Sequence, residues 1–190
     1  MRAIRKLCFV PASAVASAME LARYSATERL RDGRPLEIRA LQPSDREELM
    51  SALGRMSDQS IYRRFFSPKR HFTEREVASY LNIDFVGHVA LVAVVSENGR
   101  PTIVGGARYV IAGPGSAEVA FAVVDGYQGQ GISALLLKHL VALARQAGIE
   151  ELVAEVLPHN TPMLKVFEHS GLRVSTKREH GAVHVVLSLS

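Results

Sequence analysis

The chain has 190 residues, 47% of them apolar, with a formal net charge of +4 and a single cysteine. That length suits one domain with a proper core, no run approaches the ~18 apolar residues of a membrane span, and Cys8 alone allows neither an internal disulfide nor a cysteine metal site. Residues 1–39 hold eight Lys/Arg against four Asp/Glu while residues 40–190 hold fifteen of each, so the body is neutral and lacks the basic surface of a nucleic-acid binder.

In chain order, residues 1–34 have a basic start, an apolar stretch and an Ala-Ser-Ala end, superficially a secretory signal. Pro11, Ser13 and Ser17 interrupt the apolar run, and we read an extra helix from Ser13 to Arg31, ending at Gly33. Residues 34–41, RPLEIRAL, form a first strand. The segment 43–56 starts with Pro, carries acids in its first turn and spaces Leu49, Leu53 and Met56 as a helix does. A second helical piece covers residues 58–66, with Phe65 and Phe66 entering the core and the neighbouring arginines solvated. Thr73 with Glu76 is a capping box that opens a helix to about Tyr80.

Three strand-like runs follow, at residues 88–95, 102–112 and 117–124, separated by SENGRP and GPGS turns. A glycine-rich turn at 127–133 leads into a helix reaching Ala147, with Gly148 as its stop. ELVAEVL is a buried-type strand. A helix then begins at Asn160 as cap with Pro162 in its first turn, ends at Gly171, and is followed by the strand AVHVVLSL. The order predicts an α+β domain: an antiparallel meander, one strand–helix–strand crossover, then helix and strand. The seven histidines show no helical metal spacing, so no metal is expected.

The turn feeding the long helix is an anion site by construction, because free N–H groups and the positive end of the helix dipole converge there. Gly129-x-Gly131-x-x-Ala134 matches a dinucleotide fingerprint, but that fold needs several further βα units, and only 56 residues follow Ala134. The same turn, Gln128-Gly129-Gln130-Gly131-Ile132-Ser133, resembles the Q/R-x-x-G-x-G/A motif of the GNAT superfamily of N-acetyltransferases, with Ser133 where Gly or Ala is usual. Residues 160–172, NTPMLKVFEHSGL, resemble that family's following segment. More narrowly, LRDGRPLEIRALQPSDREEL, SIYRRFF and AEVAFAVVDGYQGQGI look like the domain of bacterial Pat-type protein lysine acetyltransferases.

The resemblance implies a GNAT-type fold over residues 35–190, a mixed, mostly antiparallel twisted sheet with helices on both faces. Residues 1–34 are then a basic, helical extension. It also implies acetyl-CoA as donor, an amine acceptor such as a protein lysine, and a cytoplasmic location with neither nucleic acid nor membrane as partner. The N–H groups from Gln128 through Gly129, Gln130, Gly131 and Ile132 to Ser133 would wrap the pyrophosphate of coenzyme A. Phe121, Ala122 and Val123 would offer backbone groups to the pantetheine arm, and Asn160 would complete the cofactor site.

Strand alternation sets Glu118, Ala120 and Ala122 on one face and Val119, Phe121 and Val123 on the other, core face. A glutamate in a buried strand is unusual unless paired or functional, and Pat-type enzymes carry their general base at the position matching Glu118; a solvent-facing edge-strand glutamate is the alternative. Glu155 is the rival base. N–H groups at a strand bulge would hold the oxyanion. Phe167 stands where many relatives carry an acidic Tyr, which leaves open a second function class, a non-catalytic acyl-CoA-binding module.

Overall fold

The computed structural model describes residues 18–69 and 71–190. Cys8 and the expected helix start at Ser13 lie outside the described residues. Where that helix was expected to continue to Arg31, residues 18–21 are helical and β1 (Ser25–Arg29) is a strand. It pairs antiparallel with β2 (Pro35–Ala40), from Ser25 opposite Arg39 to Arg29 opposite Pro35. The boundary expected at residue 34 therefore falls inside a hairpin.

The reason is local. The side chain of Asp32 accepts the N–H of Arg34 (3.0 Å), and Gly33 takes φ +88°, a turn that reverses the chain. Leu30 at the hairpin's end is buried, and the Tyr24 hydroxyl just before β1 bonds His139 on the long helix.

Helices α1 (Arg46–Gly54), α2 (Asp58–Phe65) and α3 (Glu74–Leu81) precede β3 (His88–Glu97), β4 (Arg100–Gly113) and β5 (Ser116–Val123). The long α4 (Ile132–Gln146), β6 (Glu151–Val156), α5 (Thr161–Glu168), β7 (Arg173–Glu179) and β8 (Ala182–Ser188) complete the order. Among the described residues eight strands form one sheet, β1-β2-β3-β4-β5-β6-β8-β7, in which β5/β6 is the parallel pair. Both sides of the Thr73–Glu76 capping box are made. Strand β7 has no counterpart in the sequence reading; it is an edge strand, almost wholly exposed, and so lacks an apolar stripe.

Helix α4 lays Ile132, Leu136, Leu140 and Ala144 on one face of the sheet, in a core with Val104, Tyr109, Leu152 and Val185. Burying each such leucine contributes about 1.5–3 kcal/mol before entropy is counted. On the opposite face a smaller core joins Leu41, Ala52, Ala90, Val92, Ile103 and Val124 beneath α1 and α2. The helices thus cover both faces.

The α2 segment departs from expectation in detail. Phe65 packs against Phe72 and Tyr80, but Phe66 adopts a left-handed cap (φ +57°) that swings its ring out, leaving it 40% exposed. The arginines beside them, Arg63 and Arg64, are half-buried rather than solvated.

Candidate active site

Strands β5 and β6 pair only from Ser116/Glu151 through Ala117/Leu152 to Glu118/Val153. Beyond that point β6 stays with β8 and β5 with β4, so the strands splay and one edge of residues 119–123 is unpaired. Val124 donates its N–H to Val104 on the β4 side (2.9 Å). Strand alternation then points the N–H and C=O groups of Phe121 and the N–H of Val123 at the open edge, where the Val123 carbonyl already accepts the Gln128 side chain (3.2 Å). The β4/β5 register is unbroken from Gly105/Val123 to Ile111/Ala117, so the strand bulge expected here is absent. The free donors come from the splay.

The splay opens a cleft of about 1630 Å³ with β5 on one wall, α5 and β6 on the other, and the glycine turn at one end. Gly129 (φ +78°) and Gly131 (φ +89°, the N-cap of α4) shape that turn. Among the described residues, no hydrogen bond uses the N–H groups of residues 129–134, and no side chain caps α4. Those donors meet the positive end of the longest helix. The arrangement is an anion cradle.

Gln128 departs from the expected wrapping. Its N–H bonds the carbonyl of Asp125 (3.2 Å), while its side-chain amide donates to Ser60 Oγ (3.0 Å) and the carbonyl of Val123 (3.2 Å). It braces the cradle against α2 and β5. Gln130 is absent from the cleft lining, and its carbonyl accepts the N–H of Arg31 (3.3 Å). Ile132 buries its side chain in the core, and both Ile132 and Ser133 line the cleft.

Arg31 was not anticipated. The β1–β2 turn carries it onto the cradle, where Nη1 donates to the carbonyl of Gly129 (3.1 Å). No sequence signal marks a contact between residues 98 positions apart. Asp125 anchors the same region by accepting the N–H and hydroxyl of Ser57 (2.9 and 2.6 Å) and the Ser60 hydroxyl (3.0 Å). Burial works to raise its pKa, but these bonds outweigh it and hold the carboxyl below its ordinary value.

Across the cleft, Asn160 occupies the N-cap position of α5 without the expected side-chain cap bond, so its amide is left to the cleft it lines. Phe167 is buried (1% exposed) and meets the edge of Phe121 with centroids 5.9 Å apart. It supplies wall and no hydroxyl.

Glu118 sits where pairing with β6 ends. It is exposed at the cleft, and its strand is not an edge, since β5 lies between β4 and β6. Ala120 and Ala122 share its face, and beneath them lies a second cavity of about 80 Å³, lined also by Arg64, Phe65, Tyr80 and Arg108. Glu155 stands on the opposite arm and already accepts His184 Nδ1 (2.6 Å).

The family model "Acetyltransferase (GNAT) family" matches residues 59–172. Acetyltransferase PA5475 of Pseudomonas aeruginosa is 33% identical over 126 residues, 66% of this chain and 68% of that protein. Acetyltransferase Pat of Mycolicibacterium smegmatis is 32% identical over 146 residues, 75% of this chain but 43% of that protein, so the chain spans less than half of that relative. The GNAT domain of S. lividans PAT superposes with a TM-score of 0.78 at 34% identity, over 95% of this chain and 99% of that one. Kinship along the family's own span, joined to a fold shared across nearly the whole chain, makes this chain a member of the GNAT family of acetyltransferases.

Proposed function

We propose that the chain transfers an acetyl group from acetyl-CoA directly to an amine, with a protein lysine side chain as the favoured acceptor and the cytoplasm as its location. The observation that carries this reading is the unpaired edge of β5, which runs from the glycine cradle to Glu118. An anion cradle at one end and free backbone groups along an extended edge fit a pyrophosphate with a long amide-bearing arm. Likeness to the S. lividans and mycobacterial Pat proteins supports the lysine acceptor.

Acetyl-CoA, when bound, supplies an acetyl thioester. In our reading the N–H groups of residues 129–134 hold its pyrophosphate, and Phe121 and Val123 hold the arm in register. Glu118 takes a proton from the incoming ammonium, whose pKa is near ~10.4 for a lysine, so that the nitrogen can attack the thioester carbon. A β5 N–H at the open edge donates to the developing oxyanion. The new C–N bond forms, the nitrogen releases its second excess proton to solvent, the C–S bond breaks, and the thiolate takes a proton from solvent, since Phe167 has none to give.

Glu118→Gln keeps shape and removes the proton acceptor. Acetyl-CoA affinity should survive while turnover falls by ~10²–10⁴-fold, with the deficit shrinking as pH rises and free amine becomes available. A variant that binds acetyl-CoA normally and keeps turnover within a few-fold moves the base to Glu155. Phe167 favours one second reading, a non-catalytic acyl-CoA-binding module; it holds if the wild-type protein binds acetyl-CoA and acetylates no amine.

A further inference from the structure

Two arginines beside the transfer point make no ion pair among the described residues, although Glu118 attracts Arg64 through space. Arg108 lies directly opposite Ala120 across the β4/β5 pair, and Arg64 ends α2 over the same cavity while also lining the main cleft. Arg108 stacks on Tyr80 (4.7 Å) and Arg64 on Phe65 (4.9 Å). The polar contact of Arg108 is with His88 Nε2 at 3.4 Å, and Arg64 makes no hydrogen bond or ion pair among the described residues. Next to them the Nε of Arg63 is buried without a partner.

Two other arginines that the fold withdraws from water are paired. Arg39 forks onto Asp45 at 2.7 and 2.8 Å, and Arg55 reaches both Glu48 and the carbonyl of Ile103. At the cavity, burial first and then the nearby Arg64 push the Arg108 pKa down to about 10. Burial likewise lowers that of Arg64, with attraction from Tyr80 and Glu118 opposing it. Two like charges sharing a partly desolvated pocket are costly unless something anionic joins them. Aromatic stacking occupies guanidinium faces and leaves the N–H edges available, the geometry that grips carboxylate or phosphate in two places.

We propose that Arg64 and Arg108 form an anion-recognition site for the acceptor, so that the amine admitted to Glu118 carries a carboxylate or phosphate close to its nitrogen. The inference rests on the amine-transfer reading above. The cavity of about 80 Å³ brings Arg64, Arg108 and Tyr80 together within an otherwise apolar lining. Arg108's place opposite Ala120, about 5 Å away in a paired strand, sets the anion within a few bonds of the reacting nitrogen. The anion belongs either to a small amine or to an acidic residue beside a target lysine.

The test compares kcat/KM within three matched acceptor pairs: phosphoethanolamine against ethanolamine, β-alanine against β-alaninamide, and a lysine peptide with Glu beside the lysine against the same peptide with Gln. The wild-type protein should favour the anionic member of at least one pair by about ten-fold or more, the scale of a charge-assisted hydrogen bond. That preference should collapse toward one in Arg64→Gln and Arg108→Gln and fall part-way in Arg64→Lys and Arg108→Lys, which lose the fork but keep the charge. Calorimetric titration with coenzyme A checks that each variant is folded. A preference confined to the peptide pair identifies a protein acceptor, and one confined to the other pairs identifies a small molecule. Ratios near one in every wild-type pair, or undiminished in all folded variants, overturn the proposal while amine transfer stands. If no amine is acetylated, the transfer reading fails instead, and inorganic phosphate is titrated into the coenzyme A-loaded protein with the arginine Nε–H resonances followed by NMR. Shifts of the Arg64 and Arg108 signals uphold the anion site, and unmoved signals overturn it.

Discussion

Gly131 holds φ +89° at the point where the cradle becomes α4, a region that L side chains enter at a cost of roughly 1–2 kcal/mol. A Cβ there would find Arg31 at 3.7 Å, ordinary contact, so strain rather than collision is the obstacle. Gly131→Val should therefore rotate the free N–H groups out of line and weaken acetyl-CoA binding by ~10-fold or more. Calorimetry on the folded variant checks this, and an unchanged dissociation constant would contradict the cradle. The turn's chemistry was legible in the sequence because it is local: two glycines, a small residue and a helix start. Gln128 was expected to lend its N–H to the pyrophosphate, but that N–H bonds Asp125 and the side chain braces the turn from within. Arg31, Arg64 and Arg108 were missed for two reasons. Arg31 reaches the turn only through the hairpin, and the α2 arginines were taken as solvated. Arg108 did leave a signal, a lone charge inside the apolar run of β4.

At the scale of elements, the cradle works only if α4 sits tightly on the sheet, and Gly105 is where it does so. A Cβ at Gly105 would lie 3.0 Å from the Ile132 side chain and 3.1 Å from the carbonyl of Ala122, and a backbone carbonyl in a paired strand has little room to give. Gly105→Ala should thus cost about 1–3 kcal/mol, the usual penalty for overpacking, and push Ile132 off its seat. Urea unfolding measures it, and a variant as stable as the wild type would show that α4 has slack. The elements read well from sequence where burial imposes a period: β3, β4, β5, α4, β6 and α5 lie within a few residues of expectation. The hairpin strand β1 was hidden because its inner side chains are only half-buried, although Asp32-Gly33 marked its turn. The edge strand β7 has no buried face to betray it.

For the whole molecule, the pattern of charges fixes how stability responds to acid. Burial, reinforced by Arg108, lowers the pKa of His88, so below about 6.5 the unfolded chain takes up a proton there that the fold resists, and stability declines. Asp45, Asp84 and Asp125 are held below their ordinary values despite burial, by Arg39 and by backbone and hydroxyl donors. Their contribution is complete above about 3.9 and is lost as pH falls through their lower folded values. The urea midpoint should accordingly drop gently below about pH 6.5 and steeply below about 4, and His88→Gln should remove the upper step alone; an upper step that persists in this variant would assign it to another group. The splayed sheet, the cradle and Glu118 together make one claim, that acetyl groups pass from acetyl-CoA to an amine in this cleft. The most direct test incubates the wild-type protein with acetyl-CoA and a panel of amines and lysine-bearing proteins, measuring thiol release and acetyl-amide formation together by mass spectrometry. One new amide for each thiol released, from at least one acceptor, is the predicted result; saturable acetyl-CoA binding with no amide from any acceptor would contradict it.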